Sequence, residues 1–147
     1  MNTSATDNKE FLNKIYQNAQ MGVNSITYVS EKTEDNKLLG QLRHQLQQYN
    51  EIAAEAANAL LQNEDFPKEK GPLAQVGLWS SVQINTLIDK SADHIAEMMM
   101  QGSSMGIIDM SKALRKYKNA EKETIALGEK LIETEEENFS KMKYFLQ

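Results

Sequence analysis

The sequence predicts an all-α protein: a left-handed bundle of four long helices. Three observations carry this. First, apolar side chains recur at Leu39, Leu42, Leu46, Tyr49, Ala53, Ala56 and Leu60, at intervals of 3, 4, 3, 4, 3 and 4. A strand, with its period of two, cannot produce such a seam. Second, the same spacing returns near both ends of the chain, at Leu12, Ile15, Ala19, Gly22, Ile26 and Val29, and at Ile125, Gly128, Ile132, Glu135, Phe139, Met142 and Leu146. Third, both prolines, Pro67 and Pro72, fall in one stretch from Asn63 to Pro72, so the chain has one real loop and otherwise short breaks.

Residues 1–6 read as a frayed tail. Asp7 followed by Glu10 resembles a capping box and opens a first helix over about 8–31. Ala19 and Gly22, small and central on its seam, allow a neighbour to approach closely. The break at Ser30–Thr33 is short, which makes helices one and two antiparallel neighbours. Thr33 is the expected N-cap of helix two (about 34–62), with Glu34 and Asp35 at the positive end of its dipole. Five alanines between Ala53 and Ala59 favour the helical state there.

After the 63–72 crossover, Leu73–Leu87 shows helical spacing (Val76, Trp79, Val82) and reads as an extra helical segment leading into helix three. An approximate seam continues through Ile84, Ile88, Ser91, Ile95, Met98, Gly102, Met105 and Asp109, and the helix ends near Tyr117. There Arg115, Lys116 and Lys118 complement the C-terminal dipole. From Trp79 to Tyr117 is 39 residues, about 58 Å of helix. That exceeds helix one, so a break is expected either near Asp89–Ser91 or at Gly102–Ser104. Asn119 is the expected cap of helix four, which runs to about Phe145. A long connection between helices two and three makes those two parallel, the connectivity of ferritin-like bundles.

A chain of 147 residues fits one domain, 1–147. It can bury roughly 68–70% of its unfolded surface without disulfide or metal staples. The absence of cysteine excludes thiolate chemistry and suits a reducing compartment. The net charge is −5 with signs mixed along the chain, and no basic stripe of the kind nucleic-acid binding requires is present. Met1–Glu10 has no apolar signal-peptide core, and no apolar run approaches the ~20 residues of a membrane span. A cytoplasmic protein is expected. Eight methionines, three of them consecutive at Met98–Met100, read as fillers of irregular core gaps.

Several stretches carry a family resemblance. They are Phe11-Leu12-Asn13-Lys14-Ile15-Tyr16 and Met21-Gly22 in helix one, and Tyr49-Asn50-Glu51-Ile52 in helix two. Met100-Gln101-Gly102-Ser103-Ser104-Met105-Gly106 follows in helix three, and Thr134-Glu135-Glu136-Glu137-Asn138 in helix four. The chain resembles the ferritin-like superfamily, and within it the small bacterial ferritin-like domains of unknown function. The resemblance spans nearly the whole chain and rests on helix order and small residues, not on a catalytic motif. It implies a ferritin-like fold, iron or another divalent metal as the cofactor to test for, and stress- or spore-coat-related roles. Relatives of this pattern often carry a carboxylate directly after the helix-three glycine; here that position is Ser103.

Ferritin-like di-iron proteins place one Glu on each of two helices and Glu-x-x-His on each of the other two, all pointing inward. This chain departs from that pattern. Helix one has no carboxylate between Glu10 and Glu31, and the two histidines, His44 and His94, follow Gln41 and Ser91 at the three-residue spacing. His44 falls off the helix-two seam and reads as solvent-facing. His94 with Glu97 reads as an ordinary surface pair. Glu135 is the most informative polar residue, because it falls on the helix-four stripe. It reads first as an edge carboxylate beside Glu136 and Glu137, second as part of a register-fixing polar network, and third as a functional carboxylate. Tyr49, Asn138 and Asp109 are its candidate partners. If a metal site exists, Glu135, His94 and Glu97 are its candidate ligands. Gly102 and Gly106 form a Gly-x-x-x-Gly that suits close helix packing within the bundle or across a subunit interface. The run Glu133–Glu137 reads as a solvated face. No phosphate loop, Gly-x-Ser-x-Gly or Cys-x-x-Cys occurs.

Three functions follow. The leading one is a non-catalytic bundle acting through self-association, a dimer first, or through protein partners, with no catalytic or cofactor residues. The second is a metal-binding or redox protein, with a di-metal carboxylate oxidase as its enzymatic form. The third is a small-molecule binder with a methionine-lined pocket beside Gly22, Gly102, Gly106 and Gly128. Tyr16, Val23, Tyr28, Phe66 and Trp79 are the apolar residues to watch for an interface.

Overall fold

The computed structural model describes residues 3–67 and 88–147. Four long helices make the bundle: α1 (Thr3–Ser30), α2 (Asn36–Gln62), α3 (Ala92–Lys116) and α4 (Lys122–Met142), followed by a 3-10 turn at Lys143–Phe145. The helical segment expected over Leu73–Leu87, with Val76, Trp79, Val82 and Ile84, lies outside the described residues, as does Pro72 of the crossover. None of the described helices is long and apolar enough to cross a membrane.

Helix directions follow from contacts at the two ends. Asn8, early in α1, accepts the backbone N–H of Glu121 just before α4 (3.0 Å), so α1 and α4 run parallel. Late α2 meets early α4 through Glu55 and Lys130 (3.3 Å), and early α2 meets the end of the chain through Lys37 and Tyr144 (3.4 Å). The N–H of Gln147 reaches Asp93 at the start of α3 (2.9 Å). So α2 finishes at one end of the bundle and α3 begins at the other, a bundle length of about 40 Å for the 27 residues of α2. The two helices are parallel, which is the ferritin-like connectivity. α1 with α2, and α3 with α4, form two tightly packed helical hairpins. The hairpins meet along a thinner seam, and α2 and α3 scarcely touch.

Several boundaries differ from expectation. α1 starts at Thr3, not near residue 8, and Asp7 lies inside it. The buried Asn8, tied to Glu121, holds the first turns helical through a tertiary contact that local capping rules do not see. Asp35, not Thr33, caps α2 by accepting from Leu38 N (2.9 Å), while the Thr33 hydroxyl accepts from Asp35 N (3.1 Å). Glu121, not Asn119, stands at the N-cap of α4, with no side-chain cap bond of its own. Of the two breaks weighed for helix three, the chain takes the first: Ser91 caps α3 by accepting from His94 N (3.2 Å), and the helix runs unbroken through Gly102–Ser104.

The core stripe of α1 is as predicted, with Leu12, Ile15, Ala19, Ile26 and Val29 all buried. In α2 the buried residues are Leu38, Leu42, Gln45, Tyr49, Ile52, Ala53, Ala56 and Leu60, so the expected seam holds at Leu42, Tyr49, Ala53, Ala56 and Leu60 while Leu39 and Leu46 turn half out. In α3 the inward residues after Met98 are Ser103, Gly106, Met110 and Ala113, one position later than Gly102, Met105 and Asp109. In α4 they are Thr124, Leu127, Gly128, Leu131, Glu135, Asn138 and Met142, and Leu146 is exposed. At three of these positions a polar residue, Gln45, Ser103 or Asn138, is inward where a hydropathy pattern assigns it to the surface. At Leu38, Met110 and Leu131 the inward residue is apolar, and the expected seam is one residue late or early.

Three of the four glycines named above are filled, and Gly102 is open. A β-carbon on Gly22 would stand 3.0 Å from the Tyr49 ring, and one on Gly128 would stand 2.5 Å from Phe11 Cζ. Phe11 is in turn stacked on Tyr117, with ring centroids 5.8 Å apart. Gly106 is filled by a carboxylate, and Gly102 has nothing within 4 Å of the corresponding point. Of the glycines expected to line a small-molecule pocket, Gly22, Gly106 and Gly128 are therefore occupied by the protein's own side chains. Gly102 and Gly106 do not act as one packing motif.

Candidate functional site

Glu135 lies midway along α4, one turn before Asn138 on the same face, as the three-residue spacing requires. It is 5% exposed and Asn138 is 0% exposed. The Tyr49 hydroxyl donates a hydrogen bond to Glu135 Oε1. The same hydroxyl accepts from Asn138 Nδ2 (3.3 Å), so one phenol oxygen joins α2 to two residues of α4. The phenol is held in place because the Tyr49 ring lies against Gly22 of α1. Glu135 Oε2 fills the notch at Gly106 of α3, and Asn18 Oδ1 of α1 faces the same notch. All four helices therefore meet at this acid. Gln45, one turn from Tyr49 on α2, and Ser103, one turn from Gly106 on α3, are also buried.

Burial pushes the Glu135 carboxyl well above the usual carboxylate range. Removal from water penalises the charged form, and no cation stands against it to offset the penalty. The neutral acid can both donate through its O–H and accept from Tyr49. Asn18 Nδ2 and Asn138 Oδ1 at this site, and Gln45 Nε2 one turn from Tyr49, are buried without hydrogen-bond partners. The site is more polar than its own pairings use.

The edge-carboxylate reading of Glu135 is corrected: the side chain is buried in a polar network. Of its three candidate partners, the fold brings Tyr49 and Asn138 to it. Asp109 instead accepts from Lys14 Nζ (3.3 Å). His94 and Glu97 do not join the site. They precede Gly106 by twelve and nine residues on α3, about 18 and 14 Å along the axis. His94 is half-buried and Glu97 exposed. His44 is exposed, as its position off the seam predicts. Among the described residues no three His, Asp or Glu side chains converge. Asn18, Gln45, Ser103 and the Gly106 notch escaped the sequence reading. Gln45 had one usable signal, its place one helical turn before a seam tyrosine.

The di-metal centre typical of ferritin-like proteins needs carboxylates and imidazoles from all four helices. At the level of Glu135 the other helices offer an amide, a phenol and a glycine. These residues do not fit such a centre.

No family model matches the sequence, and no curated protein matches it. In structure the chain is similar to Dps from Thermosynechococcus elongatus, with a TM-score of 0.70, 15% identity, and coverage of 99% of this chain and 96% of that one. The likeness shows the fold, a ferritin-like four-helix bundle over nearly the whole chain.

Proposed function

We propose that this chain is a non-catalytic ferritin-like bundle that acts through self-association, as a homodimer first, or through protein partners. The observation that supports the reading is the donor set at mid-bundle. One neutral acid among amides and a phenol suits a structural network and lacks the ligands of a redox metal pair. Exposed apolar side chains lie at both ends of the bundle, Leu61 and Phe66 (73% exposed) where α2 finishes and Ile88 (92%) and Tyr144 where α3 begins, and either end offers contact surface for a partner. Of the residues singled out earlier, Tyr16, Val23 and Tyr28 pack partly against the core, and Trp79 lies outside the described residues. A stress- or spore-coat-related role rests on family resemblance alone.

The test has two arms on one preparation made without chelator. Metal content is measured, and iron(II) is titrated under nitrogen while the thermal midpoint is followed. Molar mass is read by light scattering across a concentration series. The expected result is sub-stoichiometric metal, a flat midpoint and a mass that rises to that of a dimer. Near-stoichiometric metal, or a midpoint that climbs with saturation as ligand binding to the native state requires, overturns the non-catalytic reading. A monomer at every concentration overturns self-association and leaves heterologous partners.

A further inference from the structure

We propose that ionisation of Glu135 is a switch that loosens the seam between the two helical hairpins, closing the bundle in mild acid and opening it in alkali. The geometry that carries this is the position of the acid. Each hairpin is well packed within itself, and the seam between them is thinner. At mid-height the α4 acid crosses that seam to Tyr49 of α2 and faces Asn18 of α1, with its second oxygen in the Gly106 notch of its own hairpin.

The groups placed against the acid are uncharged: Asn18 from α1, Tyr49 from α2, Gly106 from α3, and Asn138 from α4. Tyr49 is the one titratable group among them. The nearest charges, Lys14 and Asp109, lie about a helical turn away and are spent on each other at 3.3 Å. Glu136 and Glu137 are exposed. A carboxylate at this point would therefore hold a charge without a counter-ion, out of water. Cations cannot relieve it, and the tight hairpins resist it. The seam is the weakest boundary available, and parting it lets solvent reach the charge. The upward push of burial on the Glu135 carboxyl agrees with this direction.

The chain has no cysteine, so paired spin labels can be placed cleanly. One pair, Glu51→Cys with Gln101→Cys, spans the seam between exposed sites on α2 and α3. A second pair, Asn24→Cys with Glu51→Cys, stays within the α1–α2 hairpin. Distances are measured on the full chain from about pH 5 to about pH 9, a range chosen to bracket a raised carboxyl. The expected result is a longer second population for the seam pair at high pH, no change for the hairpin pair, and loss of the effect in Glu135→Gln. An unchanged seam pair overturns the proposal. So does a hairpin pair that changes alongside it, which reports global unfolding, or an effect that persists in Glu135→Gln. Should that variant not fold, the Glu135 carboxyl is followed by carbon-13 NMR in the otherwise native chain. Its titration midpoint must coincide with that of seam opening, and separate midpoints sink the switch.

Discussion

Two glycine notches in this bundle use one steric device for opposite chemistry. At Gly128 on α4 the missing side chain is replaced by the tip of Phe11 from α1, stacked against Tyr117. At Gly106 on α3 it is replaced by the carboxylate of Glu135 from α4. The first notch is apolar and answers to volume alone. The second answers to volume and to charge, and unpartnered amide atoms lie around it. A glycine facing a ring locks packing. A glycine facing an acid holds a proton-dependent group where all four helices meet.

The contrast can be broken from the apolar side first. Phe11→Ala empties the Gly128 notch and strands Tyr117, and should cost about 3–5 kcal/mol in denaturant unfolding, independent of pH. The polar notch should respond to pH instead. Because burial raises the folded-state pKa of Glu135, its proton is held more tightly in the native chain. Its stabilising effect is whole below the ordinary Glu value of about 4.3 and is lost as pH rises from there through the raised folded value. Across that window the native chain should lose up to about 1.4 kcal/mol per pH unit, and Glu135→Gln should flatten the thermal midpoint against pH. A slope retained in Glu135→Gln would assign it to other groups. The smallest effect sharpens the contrast from outside it. Gly102 has no neighbour in its β-carbon position, so Gly102→Ala should raise stability by about 0.5–1 kcal/mol through helix propensity. Destabilisation there would mean that Gly102 is a third notch.

Much of the fold was legible because the heptad spacing of α1 is carried by apolar residues alone. Some of the one-residue errors in α2, α3 and α4 arise where Gln45, Ser103 and Asn138 sit inside, since a pattern of hydropathy cannot distinguish a buried polar side chain from an exposed one. Others, as at Leu38 for Leu39 and Leu131 for Ile132, fall between two adjacent apolar residues that the pattern cannot rank. The site was legible in part. Glu135 on an apolar stripe announced itself, and Tyr49 and Asn138 were named as partners from facing seams. Asp109 was misplaced by the shifted register of α3, and Gly106, named for close helix packing, was not matched to Glu135. Asn18 gave no local sign, because a polar residue beside Ala19 reads as surface until the opposing helix is known. The start of α1 was missed because Asn8 and Glu121 are joined only in three dimensions.

The division into two well-packed hairpins and a thinner seam also sets an order of events in time. Contacts within α1–α2 and within α3–α4 join residues close in sequence, and such contacts form early and fast. Those across the seam, Tyr49 to Glu135 among them, close a loop of 86 residues and belong late. A change at Glu135 should then leave the refolding rate nearly untouched and appear in the unfolding rate. The protonation state of one acid would set how long the assembled bundle lasts and not how quickly it forms.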